Sequence, residues 1–451
     1  MPGTHRPPRL LVLFQGAWED EALFRRVRKG ELVLEREGFE LLDRSQWQRL
    51  VHFDARRFVD GLCKTYRGRI DAVWSNDDGL GCLVAALMAQ RLGLPGHDPR
   101  AIVRAQHKLL LRQALAVAMP AENVQAMALP FAFGDRRCRS APALQAAVAA
   151  AGHRWPLFGK PVKGAFSALA RRVDSAAELA AHLRLPFRDR FVLRGISRPF
   201  DQLAGELLRT PCSVDRLLLE EALDGAQVNV DGFVHGGVVH VLGIVDEWMY
   251  PGAVRGARHF AGFTYPSRHP AAAQERMRSV AAAAVRALGL TQGLWNVELF
   301  LLADGSVRVI EVNARGAGQF ATLYRDVDGL DIEGIAIALA CGEDPLQVPR
   351  CEPVAGAAGS FVFRQFDGGP GKVPAPEALP WLAASHPNAR LWHEPADRRA
   401  LRREYRWFGS HRYAVLNLSA RDFDDLAAEA EECSQRLFGL SPAFGGPAIS
   451  H

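Results

Sequence analysis

Apolar positions in the first hundred residues fall into short runs separated by polar stretches of helical length. Residues 9–14 read as a short buried strand, followed by Gln15-Gly16 and a polar helical stretch over 19–37. Residues 39–42 read as a second strand and 70–74 as a third. The third leads through Ser75-Asn76-Asp77-Asp78-Gly79 into an apolar helix over 80–92 that stops at Gly93-Leu94-Pro95-Gly96. Strand and helix alternating through short loops is the pattern of an open parallel α/β sheet. Ligands on such sheets bind beyond the carboxyl ends of the strands. The loops at Gln15-Gly16 and Asn76-Asp77-Asp78 therefore fall on the functional edge, where Asp77 and Asp78 either cap the next helix or reach a ligand. Gly16 opens no G-x-G-x-x-G, so a dinucleotide fingerprint is absent.

Further along, the pattern predicts one helix over 99–119 with His107-Lys108 near its middle, and an Ala-rich helix over 142–152. A strand, turn and strand follow over 156–173, with Lys160 at the end of the first strand. An apolar strand over 216–219 runs into Glu220-Glu221-Ala222-Leu223-Asp224-Gly225. Residues 228–234 and 238–245 form a hairpin across His235-Gly236-Gly237. Helices over 271–288 and 332–341 close at Gly289 and Gly342. Beyond Pro345, Pro- and Gly-rich connections surround strands at 359–365 and 412–418 and an amphipathic helix over 422–438, the texture of a small α/β appendage.

The most informative stretch is 296–318. Two β-rich runs separated by Asp304-Gly305 predict a hairpin with a two-residue turn. Ala303 then pairs with Ser306, and Glu298 lies opposite Glu311. Opposed residues have Cβ atoms roughly 4.5–5.5 Å apart, and like charges there repel. Asn313 shares the face of Glu311, because side chains alternate along a strand. Two carboxylates and a carboxamide are hard oxygen donors of the kind Mg²⁺ takes when it also bridges phosphates. The competing reading is a solvated hairpin with two exposed glutamates. Against it stand large apolar residues on both predicted faces near the turn: Phe300, Leu302, Val307 and Val309 on one, Leu299, Leu301 and Ile310 on the other.

Composition narrows the class. At 451 residues, 48% hydrophobic and 23% charged, the chain has the makeup of a soluble globular protein of two to four domains. No apolar run reaches the ~18 residues of a membrane span, and the run at 10–14 is too brief for a signal-peptide core, so a cytoplasmic location is expected. Seven cysteines without a C-x-x-C pair form neither a disulfide framework nor a zinc site. The net charge of +5 comes from dispersed arginines and asks for no nucleic acid; a basic groove for phosphorylated small molecules accounts for it.

The succession Lys108, Lys160-Pro161, Glu220-Glu221-x-Leu-x-Gly, Glu298 and Glu311-x-Asn313-x-Arg315 resembles the ATP-grasp superfamily, in the carboxylate–amine ligase group with its amino-acid-ligase and biotin-carboxylase-like branch. The resemblance covers roughly residues 10–340. It implies an α/β fold: a pre-ATP-grasp open parallel sheet (1–98), a two-lobed ATP-grasp domain (99–345) and a small C-terminal α/β lobe (346–451). By the same resemblance Lys108 and Lys160 approach the α- and β-phosphates of ATP. Glu220, Glu221 and Leu223 lie on the linker whose backbone edge reads adenine, and Gln227 stands where many members place a ribose-binding glutamate. Glu298, Glu311 and Asn313 hold one or two Mg²⁺ ions, for which Mn²⁺ can substitute. Arg315 meets the γ-phosphate or the developing acyl phosphate, so Arg315, Glu298 and Glu311 form the catalytic set.

The chain departs from the family in three places. Its loop Lys163-Gly164-Ala165-Phe166-Ser167-Ala168-Leu169 is poor in glycine, leaving Ser167 as the phosphate contact there; His107 replaces an acidic residue and Ala317 a glycine. The implied reaction joins a small carboxylic acid, with amino acids among the candidates, to an amine through an acyl phosphate, releasing ADP and phosphate. The alternatives are carboxylation through carboxyphosphate and a non-catalytic nucleotide- or metabolite-binding protein. Expected partners are the two small-molecule substrates, without nucleic acid or membrane, and a homodimer is admissible. Trp248, Tyr250, Arg255, Arg258, His259, Phe263 and Tyr265 form the expected substrate wall, or else merely pack a loop.

Overall fold

The computed structural model describes residues 6–39, 49, 52–164, 168–209, 214–252, 258–394 and 398–442. Strands β1 (Arg9–Leu13), β2 (Val33–Glu37) and β3 (Ala72–Trp74) form a parallel sheet in the order β2-β1-β3. Central β1 is buried from Leu10 to Leu13, the continuous apolar run of a strand covered on both faces. The second strand among the described residues is Val33–Glu37, where the sequence pattern reads as the end of a helix. The helix after β1 spans only Ala17–Arg28, the chain reverses through Gly30 at φ +71°, and Val33–Glu37 pairs with β1 from Arg9↔Val33 to Leu13↔Glu37. As an edge strand β2 tolerates the polar residues Glu35, Arg36 and Glu37, which made it read as helix. Residues 40–42 lie outside the described residues.

A second, four-stranded sheet contains β4 (Ala126–Ala132), β5 (Leu157–Pro161), β6 (Arg171–Val173) and β7 (Arg216–Glu221), in the order β4-β7-β5-β6. The remaining strands are β8 (Ala226–His235), β9 (Val238–Met249), β10 (Phe260–Tyr265), β11 (Gly293–Leu301), β12 (Val307–Asn313), β13 (Ala357–Gln365), β14 (Arg390–His393) and β15 (His411–Ala420). They form one eight-stranded sheet, β12-β11-β8-β9-β10-β13-β15-β14. The C-terminal strands thus extend the sheet that carries the acidic hairpin. Residues 222–225 alone separate β7 from β8, and so link the two larger sheets. The β8–β9 turn is the expected Gly236-Gly237 pair, at φ +57° and +78°, as a type I′ turn requires. Helix Ala271–Leu288 seals one face of the sheet with Met277, Ala281, Val285 and Leu288 against Val297, Val307 and Val309. No helix among the described residues is long and apolar enough to cross a membrane.

Two local departures shape the site. The helix predicted over 99–119 is two helices, Pro99–Gln106 and Lys108–Ala118. They break at His107, whose backbone is extended (φ −97°, ψ 98°) and whose ring accepts a hydrogen bond from the Leu110 N–H at 3.3 Å. Freed from the helical ladder, the Lys108 N–H donates to the Val162 carbonyl at 3.0 Å.

The β11–β12 turn is longer than two residues. Leu302 N–H donates to Ser306 O at 2.9 Å, Gly305 sits at φ +77°, and Leu301 pairs with Val307 rather than with Arg308. A bulge between Glu298 and Leu299 on one side and Val309 and Glu311 on the other restores the register, so Glu298 still faces Glu311. The expected face assignment near the turn changes with it: Leu299 and Leu301 share the inner face with Val307 and Val309, and Phe300 pairs with Arg308.

Candidate active site

In register, Asn296 faces Asn313, Glu298 faces Glu311, Asn229 faces Glu298 and Asp231 faces Asn296. Period-two alternation places all six side chains on one face of the adjacent strands β8, β11 and β12. Buried polar groups are costly unless bonded. Here they bond to one another: Asn296 Nδ2 donates to Asn229 Oδ1 at 2.9 Å and Asp231 Oδ1 at 3.1 Å, and Asn313 Nδ2 donates to Asn296 Oδ1 at 3.1 Å. Tyr324 Oη closes the far end by donating to Asp231 Oδ2 at 2.8 Å. The carboxamides are thereby locked, and the facing acids become a rigid fixture.

The acidic pair is asymmetric. Burial alone would raise Glu311, but the ammoniums of Lys108, which bonds it directly, and Lys160 hold it below the usual carboxylate range. Glu298 is pushed up to about 7 by burial and by the charge of Glu311. Without a ligand, therefore, Glu311 is the charged member and Glu298 holds its proton only up to about pH 7. Lys108 is in turn held above its ordinary value, Glu311 outweighing the effect of burial. A divalent cation between two such oxygens would relieve the repulsion and discharge the proton. Glu298, Glu311 and Asn313 fit Mg²⁺ by donor chemistry. Among the described residues no three His, Cys, Asp or Glu gather into a metal cage.

Asp231 is also raised, to about 6, by burial. A carboxyl raised on folding stabilises the native state relative to its ionised form only while the proton is held, so stability is lost as pH rises from the ordinary value through the folded one. For Glu298 and Asp231 that window runs from about 4 to about 7. The melting temperature of the magnesium-free protein is expected to fall as pH is raised from about 5 to 8, with magnesium nucleotide restoring it at pH 8. Scanning fluorimetry checks this, and a rising melting temperature would contradict the proton placement.

Beneath the pair lies a second ionic cluster that the sequence reading missed. Arg112, one turn after Lys108, donates from Nε to Glu220 Oε1 at 2.7 Å, from Nη1 to Val309 O at 2.6 Å and from Nη2 to Ile310 O at 2.6 Å. The bulge leaves those carbonyls outside the ladder, and the planar guanidinium takes both. Lys160 Nζ lies 2.8 Å from Glu220 Oε2. Burial lowers Lys160, with Glu220 opposing it. Burial would raise Glu220, but Arg112 and Lys160 bring it below its ordinary value. A buried, fully ligated Glu220 thus ties the linker strand β7 to the acidic hairpin.

The other expected residues fall around this centre. Glu221 is bonded to the Gln125 backbone, accepting at 3.3 Å on its side chain and donating its N–H at 3.0 Å. Leu223 is half-buried in the linker, and Gln227 on β8 pairs with Phe300, on the face of Asn229 and Glu298. Ser167 lies outside the described residues. Lys163, quoted only as part of the loop, is an unforeseen contact: its Nζ donates to Asp78 O at 2.9 Å and rests 4.5 Å from the centre of the Phe200 ring. The far end of the loop is pinned where Leu169 N–H donates to Trp407 O at 2.8 Å.

Of the two edge acids, Asp77 caps, accepting from Leu80 N–H and Gly81 N–H at 2.8 Å each. Asp78 faces the site, accepting from Gln106 Nε2 at 3.2 Å. Half-buried Arg315 is raised above its ordinary value: burial is outweighed by the charges of Asp78, Glu298 and Glu311, with Cys82 assisting.

The expected substrate wall divides between the two faces of the sheet. Trp248 donates to Thr264 Oγ1 at 2.8 Å and Tyr250 to Val362 O at 2.7 Å. Both alternate away from the acidic pair, and Tyr250 lines a cavity of about 360 Å³ with Phe361, Phe363 and Tyr413. His259 is buried against Ser410 at 3.3 Å, and Arg255 lies outside the described residues. Phe263 and Tyr265 do share the site face, where Phe263 packs on Phe260 and Phe320 at centroid distances of 5.3 and 4.9 Å.

Residues 153–323, which take in parts of both larger sheets and the whole acidic hairpin, match the ATP-grasp domain family. The L-amino acid ligase of Bacillus licheniformis superposes with a TM-score of 0.68 at 18% identity, over 96% of this chain and 98% of that one. Residues 153–323 are thus similar to an ATP-grasp domain. A second structural neighbour is the carboxyaminoimidazole ribonucleotide synthase of Aspergillus clavatus complexed with ATP, with a TM-score of 0.63 at 15% identity, over 96% and 98% of the two chains. At these identities the likeness establishes the fold. Human carnosine synthase 1 is 27% identical over 323 residues, 66% of this chain and 35% of its own. The chain spans less than half the length of the curated relatives it matches.

Proposed function

We propose that the protein is an ATP-dependent ligase that activates a small carboxylic acid as an acyl phosphate and joins it to an amine, releasing ADP and phosphate. The observation that carries the reading is the facing pair Glu298 and Glu311 on a locked polar sheet face, with Lys108 against one member and Arg315 beside both. The L-amino acid ligase and carnosine synthase names among its relatives support this substrate class.

Phosphoryl transfer asks a protein mainly to cancel charge and align oxygens. Mg²⁺ held by Glu298, Glu311 and Asn313 would supply neutralisation of the triphosphate. Lys108 and Lys160 then act as compact cations toward the phosphates, and Lys160 is kept from wandering by Glu220. The linker 222–225 offers a backbone edge to adenine, and Gln227 an amide to the ribose hydroxyls. The fork of Arg315 suits the γ-phosphate. The substrate carboxylate attacks the γ-phosphorus and ADP leaves. The amine then attacks the acyl carbon, phosphate leaves, and the amine proton passes to solvent or phosphate. No covalent bond to the enzyme is needed, and the acyl phosphate survives to meet the amine only where water is kept out.

Incubation with ATP, Mg²⁺ and a panel of carboxylic acids crossed with amines tests the reading by mass spectrometry. The expected result is acid-dependent release of ADP and phosphate together with an amide. AMP and pyrophosphate would overturn the acyl-phosphate route, and turnover with bicarbonate alone as the acid would favour carboxylation.

A further inference from the structure

The polar face continues one strand beyond the acidic pair. On β9, Glu247 points to the same side as Asn229, whose amide Nδ2 donates to Glu247 Oε1. Its second oxygen, Oε2, is shielded from solvent and has no hydrogen-bond partner. Asn229 accepts from Asn296 with its own oxygen, so it is spent and cannot turn to satisfy Glu247 further. On the other flank Phe263 stands directly opposite Glu247, and Phe260 opposite Met249. Glu247 is therefore the last polar residue of the floor and the first of the aromatic wall.

A buried carboxyl with one free oxygen calls for a cation or a proton. Burial and, once Glu298 ionises, its nearby charge push Glu247 well above the usual carboxylate range; the Asn229 hydrogen bond and Arg258, exposed and lying 5.8 Å from the Phe300 ring centre, offset this only in part. A second metal ion does not suit the position, which offers one carboxylate against aromatic rings. An ammonium does: it makes a charge-assisted hydrogen bond to Oε2 and is welcomed by aromatic faces.

We propose that Glu247 is a specificity-determining residue of the ligase, binding a primary ammonium group of a substrate through Oε2 while Phe260 and Phe263 pack the attached carbon chain. The inference rests on the ligase reading. The ammonium belongs either to the acid being activated, which is then an amino acid, or to the incoming amine before it loses its proton.

Calorimetric titration of the full chain loaded with magnesium AMP-PNP separates these. The probes are L-alanine, β-alanine and 4-aminobutyrate, their desamino counterparts propionate and butyrate, and propylamine, which has no carboxylate. At least one ammonium probe is expected to bind the wild type more tightly than its desamino counterpart. Glu247→Gln, which keeps the bond from Asn229, is expected to weaken it about tenfold to a hundredfold without affecting the counterpart, and Glu247→Asp to restore part of the loss. Preference for the amino acids assigns the ammonium to the activated acid; preference for propylamine assigns it to the nucleophile. The proposal is overturned if the Gln variant binds ammonium probes as the wild type does, or if no ammonium probe outbinds its counterpart. Because this is a binding measurement, it is judged apart from the ADP release that tests the ligase reading.

Discussion

Replacing Glu311 by alanine is expected to lower ATP-dependent turnover by about 10²–10³-fold or more, the range seen when one electrostatic contact of a phosphoryl or acyl transfer site is removed. Glu311 is the charged member of the pair and the partner of Lys108. Its loss removes one of the proposed cation ligands and leaves the buried Lys108 ammonium without its counterion. Glu311→Gln preserves volume and hydrogen bonding while deleting the charge, and so separates chemistry from a collapsed side chain. Both variants should keep the wild-type circular dichroism spectrum, and Glu311→Gln should titrate with magnesium nucleotide more weakly. Turnover close to wild type in the Gln variant would remove Glu311 from the reaction.

Arg112→Ala is expected to destabilise the fold by ~3–5 kcal/mol, the cost of breaking a buried ion pair. Four groups lose a bond at once: the Glu220 carboxylate, which keeps only Lys160, the Val309 and Ile310 carbonyls, and the Asn123 amide oxygen at 3.4 Å. Arg112→Lys should recover little, because an ammonium lacks the planar fork that meets two adjacent carbonyls and a carboxylate together. Urea denaturation followed by tryptophan fluorescence reads the difference. A loss below ~1 kcal/mol, typical of an exposed ion pair, would mean that the cluster opens to water.

The two substitutions bear on different features. Glu311 was legible in the chain because strand alternation and an Asp-Gly turn are local signals. Its partner survived an error in the turn: the loop is one residue longer than expected, and the bulge beside Glu298 absorbs the difference. The same alternation identified Asn313, and helix-stop glycines marked Gly289 and Gly342, which stand at φ +74° and +76°. Strand Val33–Glu37 was misread because an edge strand has only one covered side and carries charge like a helix.

By itself, then, the sequence determined the facing of Glu298 and Glu311, the glycines that stop helices at Gly289 and Gly342, and the succession of charges that resembles the superfamily. All of these depend on neighbours a few positions away. Tertiary structure alone decided which groups meet. Arg112 reaches Glu220 across 108 positions and Val309 across 197. Glu247 acquires its meaning only when β9 lies beside β8, and Lys163 only when its loop meets Asp78. Local periodicity encodes direction, whereas the partner of a buried charge depends on packing between segments far apart in the chain.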